Sequence, residues 1–122
     1  MTAKELRDYC YSIGLIDTEF IFKDRYTSGY RFNAEFVNFY DFIAAWDKSK
    51  QCVVVANGCV IDENYKSEYK IRMTGSTGFE NDEEIKTRID DLIKSVQENI
   101  KLLKIKQMKN KIKKIEGDFE WV

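Results

Sequence analysis

The last third of the sequence constrains the fold most, because it holds one helical pattern without glycine or proline from Asn81 to Glu116. Asn81 stands three residues before Glu84, as in an N-terminal capping box, and acidic residues follow where the helix dipole favours them. Apolar residues then recur mostly at steps of three and four. They are Ile85, Ile89, Leu92, Val96, Ile100 and Leu103, then Ile105, Met108, Ile112, Ile115 and Phe119. This pattern predicts a helix over 82–116, about 50 Å long.

A helix of this length is longer than the rest of a 122-residue chain can cover. A single domain of this size has a radius of gyration of about 14 Å, so we expect one end to project or to find a partner. The apolar spacing shifts between Ile100 and Ile105, which favours a hinge or a change of packing partner over one continuous coiled-coil seam. We therefore expect residues 85–100 to pack on the rest of the chain as part of the core. We expect residues 101–115 to be available to a binding partner.

The remaining sequence alternates between strand-like and helix-like patterns. Thr2 and Glu5 have capping-box spacing, and Asn57-Gly58 between apolar runs is typical of a type I′ hairpin turn. The predicted elements are a helix over 2–13, a hairpin turning at 27–29, a helix over 38–50, a hairpin turning at 57–58, a strand over 65–74 and a loop at 75–78. This order predicts one α+β domain, 1–122: a mostly antiparallel sheet of about five strands, two short helices and one long C-terminal helix.

Charge is distributed unevenly, although the net charge is only -1. Residues 1–100 carry 13 basic and 18 acidic groups, while 101–115 carry seven lysines and no acid. These lysines lack the acidic partners that usually support an exposed helix, so they predict a basic arm for nucleic acid or an anionic protein surface. A solvated helix end that complements the dipole is the alternative. The candidates are Lys101, Lys104, Lys106, Lys109, Lys111, Lys113 and Lys114.

Aromatic and acidic residues supply further candidates for partner binding. Twelve of the 17 aromatic residues lie within 9–46. One interpretation is that some of these residues are exposed and form a partner or base-stacking surface, and burial in the core is the alternative. The candidates are Tyr26, Tyr30, Tyr40 and Trp46, with Arg25 and Arg31 nearby. Glu83 and Glu84 are candidates for a basic groove on a partner. Trp121 belongs to an acidic-aromatic tail that either folds back or acts as an anchor.

The sequence disfavours most enzyme classes. It contains no histidine, which removes the most common general base, transition-metal ligand and triad member. Three cysteines without metal-ligand spacing predict free thiols in a reducing compartment. Asp62, Glu68 and Lys70 resemble in type the residues of a Mg²⁺-dependent nuclease, which is the least favoured alternative. We predict no enzymatic activity, no cofactor and no metal.

The passage YKIRMTGSTGFENDEEIKTRIDDLIKSVQENIK (Tyr69–Lys101) combines a strand, a polar cap and a lysine-isoleucine helix. With the small, proline-free and aromatic-rich chain around it, it resembles phage and mobile-element proteins of low-GC bacteria, among them anti-CRISPR proteins that inhibit Cas9. The resemblance implies a stoichiometric binder that blocks a nucleic-acid enzyme without turnover. The charged N-terminus and the lack of a long apolar segment predict a location in the cytoplasm of the bacterial host, without membrane contact.

These observations lead to one preferred function and two alternatives. The preferred function is a non-enzymatic inhibitor or adaptor whose partner is a protein, such as a Cas nuclease or its guide-RNA complex. The first alternative is a small nucleic-acid-binding protein that acts through the basic helix at 101–114, and the second is the nuclease. Dimerisation through the long helix is compatible with either binding function.

Overall fold

The computed structural model describes residues 1–19, 21–38, 40–63 and 68–120, with side chains through Asn110. Five strands form one antiparallel sheet in the order β1-β2-β3-β4-β5. The elements are α1 (Ala3–Ser12), β1 (Ile16–Asp17), β2 (Tyr26–Arg31), β3 (Ala44–Asp47), β4 (Cys52–Glu63), β5 (Tyr69–Phe79) and α2 (Asp82–Glu120). The predicted α+β class, the antiparallel sheet and the long C-terminal helix are confirmed.

Both helices begin with the caps that the sequence predicts. The Thr2 hydroxyl accepts a hydrogen bond from the Glu5 backbone N–H at 3.1 Å, and the Glu5 carboxylate accepts one from the Thr2 N–H at 3.2 Å. At the start of α2, the Asn81 side-chain oxygen accepts from the Glu84 N–H at 3.0 Å. Each cap satisfies a backbone donor that the helix itself cannot pair.

Both helices pack on one face of the sheet. Successive residues of a strand point to opposite faces, so the buried residues of one parity meet the helices. This core comprises Leu6 and Cys10 of α1; Tyr30, Ala44, Val53, Val55 and Ile71 of the sheet; and Ile85, Ile89, Leu92, Val96 and Leu103 of α2. A smaller cluster lies on the opposite face, where Ile21 and Phe42 pack on Tyr26, Ala45 and Val54. The helix-covered face therefore holds most of the buried apolar surface.

Two interactions fasten α1 to α2 beside this core. The N-terminal amine of Met1 forms an ion pair with the Asp82 carboxylate at 2.7 Å. The Tyr9 hydroxyl donates to the Asp90 carboxylate at 2.6 Å. Burial and this hydrogen bond raise the pKa of Tyr9 above its ordinary value, so the hydroxyl stays protonated and keeps donating.

The predicted hairpin turn at Asn57-Gly58 is wrong, because β4 continues through it. Ala56 pairs with Ser76 and Gly58 pairs with Thr74 in one unbroken register with β5. Residues 75–78 therefore belong to β5 and do not form the predicted loop. The Asn57 side chain accepts a hydrogen bond from the Thr77 hydroxyl, and a Cβ atom at Gly75, where φ is +43°, would lie 2.8 Å from the Asn57 amide. Long-range pairing thus overrides a dipeptide that is typical of turns.

The predicted turn at 27–29 is wrong as well. Gly29 lies inside β2, where a Cβ atom would come within 2.7 Å of an Ile21 methyl and 2.9 Å of a Thr18 methyl. Glycine is present because another segment packs directly on the strand, and no turn is needed to explain it.

The predicted helix over 38–50 is wrong too, because 44–47 form the central strand β3. Ala44 and Ala45 are fully buried between β2 and β4, and two small residues fit that position. Gln51 has φ of 52° in the turn that leads into β4. The helical spacing of the neighbouring aromatic residues comes from a loop and a strand, in which Phe42 packs on the smaller cluster and Trp46 on the main core. The described residues form one short helix, α1, instead of the two predicted.

The segment between β2 and β3 covers part of the outer edge of β5. The Phe36 carbonyl accepts from the Ile71 N–H at 2.7 Å, and the Asn38 N–H donates to the Ile71 carbonyl at 3.0 Å. The Asp41 carboxylate accepts from the Met73 N–H at 2.9 Å. Paired in this way, β5 does not offer these backbone groups to another chain. Phe36 has φ of 68° at this contact, a left-handed conformation that is costly for a bulky residue.

Asp47 is a buried carboxylate at the end of β3. It accepts hydrogen bonds from the backbone N–H groups of Ser49 and Lys50 at 3.0 and 3.1 Å and from the Arg25 guanidinium at 3.2 Å. Burial opposes ionisation of Asp47, but these donors outweigh it and lower its pKa below the ordinary value of 3.8. The ionised carboxylate therefore organises the turn from β3 to β4.

We predict that Asp47→Asn destabilises the fold near neutral pH, because the amide cannot accept all three of these hydrogen bonds. The folded state lowers the pKa of Asp47, so its contribution is fully present above about pH 4 and is lost as the pH falls through the folded pKa. Denaturant unfolding at a series of pH values should show the gap between variant and wild type closing only in acid. A gap that stays constant with pH would contradict this role of the charge.

Candidate functional site

The long helix α2 carries apolar residues on two different sides. Ile85, Ile89, Leu92, Val96 and Leu103 face the sheet and are at most 5% exposed. Leu102, Ile105 and Met108 are 57%, 51% and 63% exposed. At 3.6 residues per turn, Ile105 and Met108 lie about 140–160° around the helix from Leu103. We call Leu102, Ile105 and Met108 the outward stripe.

This arrangement explains the shift in apolar spacing. α2 is one uninterrupted helix from Asp82 to Glu120, so the shift marks a second side of the same helix and no hinge. The expected packing of 85–100 on the sheet is confirmed, and it extends to Leu103. Within this packed part of α2, the Asn99 side-chain amide donates a hydrogen bond to the Cys59 sulfur at 3.2 Å, which fixes the helix against β4.

Three of the candidate lysines surround the outward stripe. Lys101, Lys104 and Lys109 are exposed, and none forms an ion pair with any residue in the described part of the chain. The sequence places no acidic residue between Asn99 and Asn110. We call these three residues the lysine rim. Apolar side chains between unpaired cations form a surface suited to a macromolecule that has both apolar and anionic groups.

The other candidate lysines do not all belong to this surface. The Lys106 ammonium lies 4.6 Å from the centroid of the Tyr69 ring, a cation–π contact that turns it toward β5. The side chains of Lys111, Lys113 and Lys114, and the whole of Trp121, lie outside the described residues.

The acidic candidates lie at the other end of α2. Glu83 and Glu84 are both exposed, and Glu84 forms a loose ion pair with Arg88 at 3.9 Å. Their distance from Lys101 along the helix is about 27 Å, because 18 residues rise 1.5 Å each. The helix α2 thus carries negative charge in its first turn and positive charge from Lys101 onward.

The expected exposure is wrong for Tyr26 and Tyr30, whereas Tyr40 is exposed. Tyr26 and Tyr30 are 5% and 2% exposed, and Arg31 beside them is half-buried. The Tyr26 ring packs edge-on against Phe42 at 5.2 Å, and burial raises the pKa of Tyr30. Both rings belong to the two core clusters, so neither can stack on a base. The large aromatic residues that are exposed include Phe22 and Tyr40.

The suggested nuclease residues are only partly brought together. Asp62 and Lys70 are cross-strand partners of β4 and β5, whereas Glu68 precedes β5. The Asp62 carboxylate accepts from Arg72 at 3.2 Å, so it already has a cationic partner. Within the described residues, no group of three histidine, cysteine or carboxylate side chains is placed to hold a metal ion.

A groove of about 550 Å³ lies where α2 passes the end of the β4–β5 hairpin. Phe36 and Val37 form one wall, Glu68, Tyr69 and Lys70 another, and Gln107 and Asn110 of α2 a third. These residues come from three distant parts of the sequence, so no local pattern predicts the groove. It is open to solvent.

The three cysteines are free thiols, as predicted. Cys52 and Cys59 lie on one strand, about 23 Å apart at 3.3 Å per residue, so these two cannot form a disulfide with each other. Burial raises the pKa of all three thiols, and that of Cys10 reaches about 12. Few thiolates are therefore present near neutral pH, and these cysteines are poor nucleophiles.

Comparison with known proteins gives no relative for this chain. No protein-family model matches the sequence, and no curated protein or solved structure matches it significantly. Among the described residues, no helix has both the length and the apolar composition needed to cross a membrane.

Adjacent leucines of α2 allow a matched test of its two sides. Leu103→Ala should cost about 2–5 kcal/mol of unfolding free energy, because it leaves a cavity in the core. Leu102→Ala should change that free energy by less than about 0.5 kcal/mol, because the side chain is already in solvent. Denaturant unfolding of dilute protein measures both values, and equal costs would contradict the orientation of the helix.

The buried thiol gives a second test. Cys10 should stay unmodified by an aromatic disulfide reagent at pH 8 and should react only when denaturant unfolds the chain, because its pKa is about 12 and its side chain is covered. Cys10→Ser should accordingly leave the number of thiols that react in the native state unchanged. Rapid native labelling of Cys10 would show that α1 is not packed as described.

Proposed function

We propose that this chain is a non-enzymatic binding protein that contacts an anionic surface of its target through the lysine rim. The observation that supports this function best is the concentration of three exposed cations on one short part of α2 without acidic neighbours. These groups form no ion pair with another described residue, and exposed cations of this kind raise the association rate with a negatively charged partner.

The chemistry of the described side chains favours binding over turnover. The thiols are poor nucleophiles because their pKa values are raised, and the Asp62 carboxylate is bound to Arg72. The groove next to α2 is open to solvent, whereas catalytic electrostatics act most strongly where water is excluded.

A narrower proposal is that the protein inhibits a nucleic-acid enzyme of the bacterial host, as Cas9-inhibiting anti-CRISPR proteins do. The resemblance of Tyr69–Lys101 to phage and mobile-element proteins is one support. The other is the charge layout of α2, because proteins that bind nucleic acid combine basic grooves with bound polyanions. Glu83 and Glu84 suit such a groove, and the lysine rim, about 27 Å away along the helix, suits the polyanion or an acidic part of the enzyme.

Direct binding of nucleic acid is the second candidate. The absence of acids between Asn99 and Asn110 favours it, because phosphate backbones attract any cluster of lysines. Three phosphate contacts would give a log–log salt slope of about -2.7, or about a 40-fold loss of affinity when the salt concentration rises fourfold. The exposed outward stripe is not explained by this candidate, since phosphate contacts do not require apolar side chains.

Charge reversal of the lysine rim tests the proposal. The triple variant Lys101→Glu, Lys104→Glu and Lys109→Glu should lose at least about tenfold in affinity for a polyanionic target, because each reversal replaces attraction by repulsion. Lys4→Glu, Lys23→Glu and Lys94→Glu change the net charge equally at exposed positions elsewhere, so this control should bind normally. Biolayer interferometry against guide-loaded Cas9, and separately against bare duplex DNA and RNA, measures the affinities.

The pattern of binding separates the candidates. Rim-dependent binding to guide-loaded Cas9, without binding to bare nucleic acid at moderate salt, supports the inhibitor. Rim-dependent binding to bare DNA or RNA with a steep salt dependence supports the second candidate. An equal loss of affinity in the rim variant and the control variant would show that only the net charge affects binding, and the proposed site would then be wrong.

A further inference from the structure

The strand β5 lies at one edge of the sheet, and the segment between β2 and β3 covers only the first part of that edge. Ile71 and Met73 are hydrogen-bonded on their outer side to this segment. Over residues 75–79, no hydrogen bond joins the outer side of β5 to another described part of the chain. We call the outer side of residues 75–79 the open edge.

The register of the sheet determines which backbone groups the open edge presents. The Ala56 N–H of β4 donates to the carbonyl of the residue before β3 at 2.9 Å, so the N–H of Ala56 points to the β3 side. Directions alternate along a strand, so the groups of Val55 point to β5, and those of its cross-strand partner Thr77 point back to β4. Ser76 and Gly78, on either side of Thr77, thus direct their N–H and C=O groups outward. Such groups are a template for one more strand.

The side chains of the open edge do not protect it against pairing. Exposed edge strands usually carry charged residues or proline, which prevent another chain from adding to the sheet. Residues 74–78 are Thr-Gly-Ser-Thr-Gly, all small and uncharged, whereas the charged residues of β5, Lys70 and Arg72, lie in its first part. The open edge is therefore accessible to another backbone.

A pocket of about 280 Å³ adjoins the open edge on the face of the sheet opposite the helices. Ser76 forms part of its wall, together with Phe22 and Tyr40, which are 79% and 54% exposed. Two charged residues also line it. Arg25 is bound to the buried carboxylate at the end of β3, and the Asp41 carboxylate is bound to a backbone N–H of β5. This edge pocket therefore suits one neutral apolar side chain, since it is smaller than the roughly 300–1,000 Å³ of typical small-molecule sites.

We propose that the open edge binds an extended segment of a partner protein, which adds a strand beside β5 and places one apolar side chain in the edge pocket. In recognition by strand addition, main-chain hydrogen bonds give affinity and pockets for alternate side chains give specificity. A residue that pairs with Ser76 points its side chain to the same face of the sheet as Ser76, which is the face of the edge pocket. The proposal does not depend on what the lysine rim binds.

The spacing of the outward groups favours an extended polypeptide as the occupant. Ser76 and Gly78 each present a donor and an acceptor, about 7 Å apart along β5, and an extended backbone repeats its own donor and acceptor at that interval. Phosphate groups of nucleic acid or lipid are acceptors only, so they leave the outward carbonyls unpaired. The chain itself already uses the first part of this edge in the same way, because Val37 forms a parallel bridge with Ile71. A bound segment would continue that pairing along β5.

A phage-displayed library of linear peptides provides the probe. Panning on the full chain with Lys101→Glu, Lys104→Glu and Lys109→Glu prevents selection of acidic peptides by the lysine rim. The enriched peptides should alternate apolar residues with others and lack proline at the paired positions, because proline cannot donate to a neighbouring strand. A synthetic copy of an enriched peptide should then bind the wild-type chain and the rim variant equally in fluorescence polarisation.

A substitution at the open edge tests the location of this binding. Ser76→Lys places a charge at the edge and in the wall of the edge pocket, so it should weaken peptide binding at least about tenfold. Ser95 lies exposed on α2, and Ser95→Lys makes the same chemical change there, so this matched control should bind normally. Far-UV circular dichroism verifies that both variants are folded.

N-methylation of the peptide tests strand addition on the wild-type chain, without any substitution in the protein. Alternate N–H groups of an added strand face β5, so methylating single amides in turn should abolish binding at every second position of the paired segment. Methylation at the intervening positions should leave binding unchanged. Tolerance of methylation at every position would show that the peptide is held by its side chains alone and would contradict strand addition.

Three further results would overturn the proposal. Panning that enriches no extended apolar peptide is one, and equal peptide binding by Ser76→Lys and wild type is another. The third is a wild-type mass of two copies in sedimentation equilibrium that Ser76→Lys reduces to the 14.4 kDa of one copy, because the edge would then belong to a second copy of this chain. None of these results affects the lysine rim, because Ser76→Lys keeps Lys101, Lys104 and Lys109 and should still bind a polyanionic target. Failure at the edge and failure of the proposed function are thus distinguished.

Discussion

The fold depends on the contact between one side of α2 and one face of the sheet. Ile85, Ile89, Leu92, Val96 and Leu103 cover the side chains that β4 and β5 present on that face. Each buried aliphatic side chain contributes about 1.5–3 kcal/mol, so this row of contacts outweighs any single hydrogen bond in the structure. The tie from Tyr9 to Asp90 then holds α1 against the same helix. Without α2, most of the core would face water.

The same contact determines which part of the protein is left for binding. A helix buries only a part of its circumference against a sheet, and α2 remains helical well beyond Leu103. Its other side thus carries exposed apolar residues and unpaired lysines without any cost to the core. The proposed target site uses this free side through the lysine rim. Stability and recognition can therefore be changed separately by substitutions on a single helix.

Local patterns in the sequence predict the helix and its caps well, because capping and 3.6-residue periodicity depend on neighbouring residues. They fail where contacts with distant segments of the chain determine the local structure. Asn57-Gly58 lies within β4 because ten residue pairs join β4 to β5, and Gly29 lies in β2 because Ile21 packs on it. Burial of Tyr26 likewise depends on Ile21 and Phe42. The basic part of the candidate site was predictable from charge, whereas the turning of Lys106 onto Tyr69 required the β5 register.

The central claim is that α2 has a first part held by the sheet and a second part free of it. Amide hydrogen exchange of the wild-type chain tests this claim residue by residue. Amides from Ile89 to Leu103 should exchange only through opening of the whole core, and those beyond Lys109 should exchange much faster through local fraying. Equal protection along the whole helix, or fast exchange between Ile89 and Val96, would contradict it.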